Sequence, residues 1–261
     1  MLGAIAGDFI GSRFEARPTK SKEFSLLSAE NRITDDSVLT IAVADCLMQG
    51  LPYDQTLRHY YHRYPFAGYG GMFQTWANSE DMGPYQSFGN GSAMRVSPVG
   101  WLGASSDQVL AEAKKSAEVT HNHPEGIKGA QAVALGIFLA RQSLSRKKIK
   151  EEIQERFGYD LTGTLERIRP GYRFDVTCQG SVPQAFIAFL EAGDYEDAVR
   201  NAVSLGGDAD TQACIAGALA EAFFGPVPDP IQKAVLDSLD DFLKSKVTQF
   251  YSRFINGSLY V

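Results

Sequence analysis

Only three cysteines occur in the 261 residues, Cys46, Cys178 and Cys214, an odd number with no CxxC spacing. That leaves no basis for a disulfide framework, and no Cys/His set has structural zinc spacing. Cys46 and Cys214 lie in apolar runs, which predicts buried free thiols in a reducing, cytoplasmic setting. No apolar run approaches the roughly 20 residues that span a bilayer, so no membrane association is expected. The first residues have no basic leader and place Asp8 inside the first apolar stretch, which does not read as a signal peptide. A basic stripe is missing too. Net charge is −6, and the one basic cluster, Arg146-Lys147-Lys148-Ile149-Lys150, runs straight into Glu151, Glu152 and Glu155. Its i,i+4 pairing is that of a solvated helix face, so nucleic acid is not an expected partner. Linker-like and low-complexity tracts are absent, which predicts one domain over residues 1–261, monomeric by default. Strand-like alternation is scarce. The fold class expected is all-α, a compact bundle of about ten helices.

What is present is helical patterning with unusual glycine placement. Gly3, Gly7 and Gly11 recur every four residues, so a helix presents them on one bare face that a neighbouring backbone can approach closely. Val38 to Leu47 is apolar or small at nearly every position and belongs in a core. Further helices are expected over about 54–64, 107–119, 124–141, 145–157, 181–192, 194–204 and 208–224, plus a short one around Trp76. A last helix from Asp229 carries Ile231, Val235, Leu239, Phe242, Val247 and Phe250 on one stripe. Residues 88–95 and 158–180 read as irregular.

Two acidic turns stand out. Thr34-Asp35-Asp36-Ser37 precedes one apolar run, and Gly206-Gly207-Asp208-Ala209-Asp210-Thr211 precedes another. Helix N-capping accounts for one acid in each. It does not account for the paired carboxylates. Carboxylates and Thr hydroxyls are hard donors suited to Mg²⁺, Ca²⁺ or Mn²⁺. Helix N-termini repel cations, so a metal there needs several carboxylates. Glu15, Asp35, Asp36, Asp208 and Asp210 would bring five negative charges, close to balancing two divalent ions. Gly89-Asn90-Gly91-Ser92 can form an anion-binding nest of backbone N–H groups or an ordinary structural turn. Arg95 can meet a phosphate or sit in a buried ion pair. His121-Asn122-His123 suits pocket lining or helix capping better than metal binding.

Taken in order along the chain, the Gly3–Glu15 segment, Thr34-Asp35-Asp36-Ser37, the Gly89–Arg95 segment, Thr120-His121 and Gly206–Thr211 resemble the ADP-ribosylglycohydrolase family. The resemblance runs from about residue 2 to 225. It implies an all-α fold and a binuclear Mg²⁺ centre, Mn²⁺ being possible, held by Thr34, Asp35, Asp36, Asp208, Asp210 and Thr211. It further implies that Gly89, Asn90, Gly91, Ser92, Met94 and His121 contact substrate, and that Glu15, Asp36 and Asp208 are the candidates for proton transfer. The implied reaction removes ADP-ribose from an ADP-ribosylated protein or small molecule, with ADP-ribose as product. A dehalogenase-type DxD needs a preceding strand, and none is expected here. A prenyl-transfer DDxxD has Thr40 where its last Asp should stand, and no histidine precedes an Asp. The rival of another class is a non-catalytic ADP-ribose-binding or crystallin-like relative, disfavoured because the acidic set is intact.

Overall fold

The computed structural model describes residues 1–255, so residues 256–261 of the expected domain lie outside the described residues. Fifteen helices follow one another: α1 Leu2–Glu15, α2 Asp35–Gln49, α3 Tyr53–Arg63, α4 Gly71–Ala77, α5 Gly91–Met94, α6 Ser97–Leu102, α7 Ser106–Glu118, α8 Pro124–Arg141, α9 Arg146–Phe157, α10 Leu165–Ile168, α11 Cys178–Leu190, α12 Tyr195–Val203, α13 Ala209–Phe224, α14 Asp229–Ser238 and α15 Asp241–Phe254. Among the described residues the only β feature is an isolated antiparallel bridge between Gly89 and Thr177. Among the described residues no helix is long and apolar enough to cross a membrane.

The all-α class holds, and the helix count exceeds the expected ten because tertiary contacts stabilise short pieces. Residues 88–95 are not wholly irregular, since α5 forms one turn at Gly91. The segment 158–180 contains α10, and α11 begins at Cys178, capped by the Thr177 hydroxyl accepting from Gly180 N. Pro183 therefore lies inside α11 rather than in its first turn; the carbonyl it leaves unpaired belongs to the exposed Gln179. The single last helix expected from Asp229 is two. The backbone turns extended at Leu239, and Asp240 caps α15 by accepting from Leu243 N at 2.9 Å while its other oxygen accepts from Tyr64 OH at 2.8 Å.

Three helices set the geometry of the interior. α1 runs antiparallel to α13 with almost nothing between them. A Cβ added at Gly3, Gly7 or Gly11 would fall within 2.5 Å of the carbonyl oxygen of Gly217, Ala213 or Ala209 respectively. Matching steps of four on both helices lock the register, one turn against one turn. The consequence lies at the end of the seam, where Glu15, last in α1, arrives beside Asp208 and Asp210 at the start of α13. α2, buried on nearly every side, completes the group. Its far end is tied down by Lys246 Nζ to Asp45 Oδ1 at 2.8 Å and Arg253 Nη1 to Met48 O at 2.6 Å.

The seam can be tested directly. Gly7→Ala places a methyl group against the fixed Ala213 carbonyl and should lower unfolding free energy by about 3 kcal/mol or more. Gly171→Ala, which meets open space, should stay within about 0.5 kcal/mol. Urea denaturation of both variants decides; equal stability would remove the close-packing account.

Candidate metal and substrate site

One residue that was not among the candidate site residues organises the first acidic turn. Asp8 is fully buried in α1, and its carboxylate takes four hydrogen bonds from the entry to α2. Thr34 Oγ1 donates to Oδ1 at 2.8 Å, Thr34 N and Ser37 N donate to Oδ2 at 2.9 and 3.1 Å, and Ser37 Oγ donates to Oδ2 as well. Asp8 thus holds the N-terminus of α2 from a neighbouring helix. Its sequence signal was an unpaired acid inside an apolar, glycine-spaced helix. Thr34 is itself the N-cap, accepting from Asp36 N at 3.2 Å. With the hydroxyl proton spent on Asp8, what Thr34 offers the cleft is a lone pair.

The second turn differs. Asp208 occupies the N-cap position of α13 but makes no side-chain cap bond. Its Oδ2 accepts from Asn90 Nδ2 at 2.7 Å instead. Capping, sufficient for Thr34, does not explain Asp208. The two turns meet where Thr211 Oγ1 lies 3.3 Å from Asp36 Oδ2. Carboxylate oxygens of Glu15, Asp208 and Asp210 lie within 4.8 Å of one another.

Twelve of the thirteen expected site residues line one cleft of about 440 Å³: Glu15, Thr34, Asp35, Asp36, Gly89, Asn90, Gly91, Met94, His121, Asp208, Asp210 and Thr211. Ser92 does not. Its hydroxyl donates to Gly126 O at 2.7 Å, away from the cleft, and fixes α5 to α8. The anion nest is also smaller than the sequence suggests. Gly89 N donates to Ser87 Oγ at 3.2 Å and Asn90 N to Val176 O at 2.7 Å, so these two N–H groups are spent within the protein. Asn90 Nδ2 further donates to Ser181 Oγ at 3.1 Å, and Ser181 donates to Asp175 O at 2.7 Å. Ser181 therefore supports Asn90, which in turn orients Asp208. Around the mouth stand Phe66, 98% exposed, with Met72, Phe174 and Val176, four of the seven exposed large apolar side chains among the described residues. Sequence patterning has no signal for them, because they belong to separate loops and only α4 is regular there.

The electrostatics are those of acids gathered with little counter-charge, Arg32 acting on Glu15 against the upward shift. Burial pushes Asp35 up to about 8, with repulsion from Asp8, Asp208 and Glu15 adding to it. Asp36 and Asp210 rise well above the ordinary carboxylate range, first through burial and then through neighbouring aspartates. Asp8 reaches about 6, burial outweighing its hydrogen bonds. Burial raises Asp208 too, and raises Glu15 with help from Asp208. Asp36 Oδ1 is buried with no hydrogen-bond partner. An all-oxygen donor set, a converging acid trio and an orphaned carboxylate oxygen fit a hard divalent cation.

In the cation-free protein these acids hold protons that the unfolded chain releases near pH 4. The folded state then binds more protons than the unfolded one between about pH 4 and about pH 8, so stability falls as pH rises through that window. In EDTA the melting temperature should drop between about pH 5 and about pH 8, and millimolar Mg²⁺ or Mn²⁺ should restore it, more at the higher pH. Differential scanning fluorimetry checks both, and melting curves indifferent to EDTA and cation at the higher pH would count against a metal site.

Comparison with known proteins agrees with this architecture. A profile of the ADP-ribosylglycohydrolase family matches residues 1–257. ADP-ribosylhydrolase ARH3 of Mus musculus is 25% identical over 318 positions, covering 90% of this chain and 85% of that protein. ARH3 of Homo sapiens is 25% identical, covering 90% and 87%. An uncharacterized protein of Archaeoglobus fulgidus is 31% identical over 177 positions, 62% of this chain and 57% of that one. Among solved structures, a chain from an ADP-ribosylglycohydrolase-related protein complex superposes with a TM-score of 0.70 at 24% identity, covering 96% of this chain and 95% of that one, and so shares its fold. With a family profile matched along nearly the entire chain and the same helical architecture in a solved relative, the chain belongs to the ADP-ribosylglycohydrolase family.

Proposed function

We propose that residues 1–261 act as one domain, a cation-dependent hydrolase that releases ADP-ribose from an ADP-ribosylated protein side chain or small molecule. The observation that carries this reading is the meeting of two acidic turns, distant in sequence, on one cleft, with Thr211 Oγ1 3.3 Å from Asp36 Oδ2. A volume of about 440 Å³ suits a ligand of nucleotide size. Thr34, Asp35, Asp36, Asp208, Asp210 and Thr211 would hold two divalent cations, Mg²⁺ or Mn²⁺. When bound, the cations supply Lewis acidity that orients ribose hydroxyls and lowers the pKa of water.

The chain's own groups do the rest. Water adds to the anomeric carbon as the bond to the target's nitrogen or oxygen breaks, and that atom takes up a proton. Charge building on the sugar ring is stabilised by the carboxylates around it. Glu15, Asp36 and Asp208 are the candidate proton carriers. Asn90, bonded to Asp208 Oδ2, leaves Oδ1 of that residue free of this bond and fixes its direction. The turn at Gly89–Gly91, with His121 beneath it, receives the diphosphate side of the ligand, while Ser92 acts in the scaffold only. Phe66, Met72, Phe174 and Val176 offer an apolar rim to the adenine or to the attached target.

Asp36→Asn discriminates this reading from a non-catalytic binding role. It should cut ADP-ribose release at least about 100-fold with helix content unchanged by circular dichroism. It should also raise the melting temperature in EDTA at neutral pH, because a buried Asn is neutral without the proton that Asp36 has to take up there, and abolish the gain from Mg²⁺. A fully active variant would falsify the role of Asp36. Incubating the protein and Mg²⁺ with arginine-, serine- and poly-ADP-ribosylated substrates and measuring ADP-ribose identifies the linkage; no release from any of them would favour the binding role.

A further inference from the structure

Along one wall of the cleft, a chain of polar contacts leads from Arg95 to His121. Arg95 is fully buried and has no carboxylate within ion-pair distance among the described residues. Its Nη2 donates to Ser116 O at 2.9 Å and to Thr120 Oγ1 at 2.8 Å. A guanidinium has no lone pair, so in the second contact Thr120 must accept. The Thr120 hydroxyl then has one proton of its own to give. Two acceptors are in range, His121 Nδ1 at 2.7 Å and Ala117 O at 3.5 Å. The nearer one wins on distance, and a hydroxyl polarised by a guanidinium is the stronger donor for it. His121 Nδ1 is thereby an acceptor and carries no proton.

The other ring nitrogen faces the ligand side. A Cβ at Gly91 would lie 3.2 Å from His121 Nε2, and one at Gly89 3.6 Å from it. Both glycines and His121 line the cleft. We propose that Arg95 and Thr120 are positioning residues that lock His121 as the Nε2–H tautomer, a neutral donor aimed beneath the Gly89–Gly91 turn at an acceptor oxygen of the ligand. Burial and the Arg95 cation both disfavour the imidazolium, holding it well below its usual range. Of the groups that face the ring, Tyr85, tilted against it at 6.0 Å, is pushed up to about 12 and stays neutral. The donor therefore keeps one form while the acids nearby change theirs. It supplies a hydrogen bond where Ser92, turned toward Gly126, does not. The glycines at 89 and 91 have a second use here, since side chains at those positions would crowd Nε2.

The tautomer itself is independent of the proposed function, while its use toward ADP-ribose rests on that reading. Long-range ¹H–¹⁵N correlation on the full chain with labelled histidine, the His121 signals identified by their loss in His121→Gln, reads the tautomer directly. The expected pattern is a bare Nδ1 and a protonated Nε2, retained in Thr120→Ser and replaced in Thr120→Val by a tautomer mixture. A protonated Nδ1 in the unmodified protein overturns the proposal, even if Thr120→Val fails to fold. So does a Thr120→Val spectrum identical to it. Calorimetry with ADP-ribose and Mg²⁺ should then show affinity about five- to tenfold weaker in Thr120→Val and within about twofold in Thr120→Ser. Unchanged affinity in Thr120→Val removes the ligand contact from the proposal. No ADP-ribose binding by the unmodified protein, alongside the expected tautomer, marks failure of the functional reading instead.

Discussion

The backbone-to-backbone contact of α1 with α13 is the constraint on which the site depends. A helix can approach another this closely only where side chains are missing, and Gly3, Gly7, Gly11 and Gly217 make them missing on the facing rows. The conformational cost of three glycines in one helix is offset by the dispersion contacts that closeness allows. Closeness also sets register. A slip of one residue would drive a Cβ into a carbonyl, so the end of α1 has one place to be. That place puts Glu15 with Asp208 and Asp210. From the same helix Asp8 reaches sideways to cap α2, which brings Asp35 and Asp36 to the other wall. One glycine-faced helix therefore positions both halves of the acidic cleft.

Such a cleft is electrostatically unfavourable by itself. Asp35, Asp36, Asp208 and Asp210 sit at two helix N-termini, where each alone would be favourable, but together they repel in a poorly hydrated space. Local rules thus conflict with the group's total charge, a pattern expected where stability has been set aside for function. The conflict is resolved by positive charge from outside, protons or cations. On the wall of the same cleft a buried cation, Arg95, stands without a carboxylate partner among the described residues, on the side of His121. Acids on one side and Arg95 on another give the cavity a polarity that the proposed ligand, with hydroxyls at one end and anionic oxygens at the other, would match.

Much of this was legible from residue order. The four-residue glycine spacing announced the close helix pair, and the His121–His123 stretch, suited to helix capping, led into the helix expected from residue 124, where His123 Nδ1 accepts from Glu125 N at 3.1 Å. Paired acids at helix starts marked the site because capping needs only one. Legibility failed where a residue's role lies in its partner. Asp8 looked like an exception within an apolar stretch, Ser181 like the start of a helix, and Ser92 like a ligand contact. Each makes a hydrogen bond to a residue 26 to 91 positions away, a separation to which sequence periodicity is blind. Leu239 to Asp240 failed differently: the apolar stripe continued smoothly, while the cap of α15 and the Tyr64 contact broke the helix beneath it.

By itself the sequence determined the helical class, the members of the acidic set and their hard-donor chemistry, because these follow from periodicity and side-chain type over a few residues. Tertiary structure alone decided which oxygens converge, which are already spent, and which proton sits on which atom. Asp36 Oδ1 is orphaned, the Ser92 hydroxyl is consumed and the Thr120 hydroxyl beside His121 meets Arg95 only because segments well separated in the chain are packed against one another. Hydrogen bonds and Coulomb forces act over a few ångströms, and only the folded chain decides which groups come within that range.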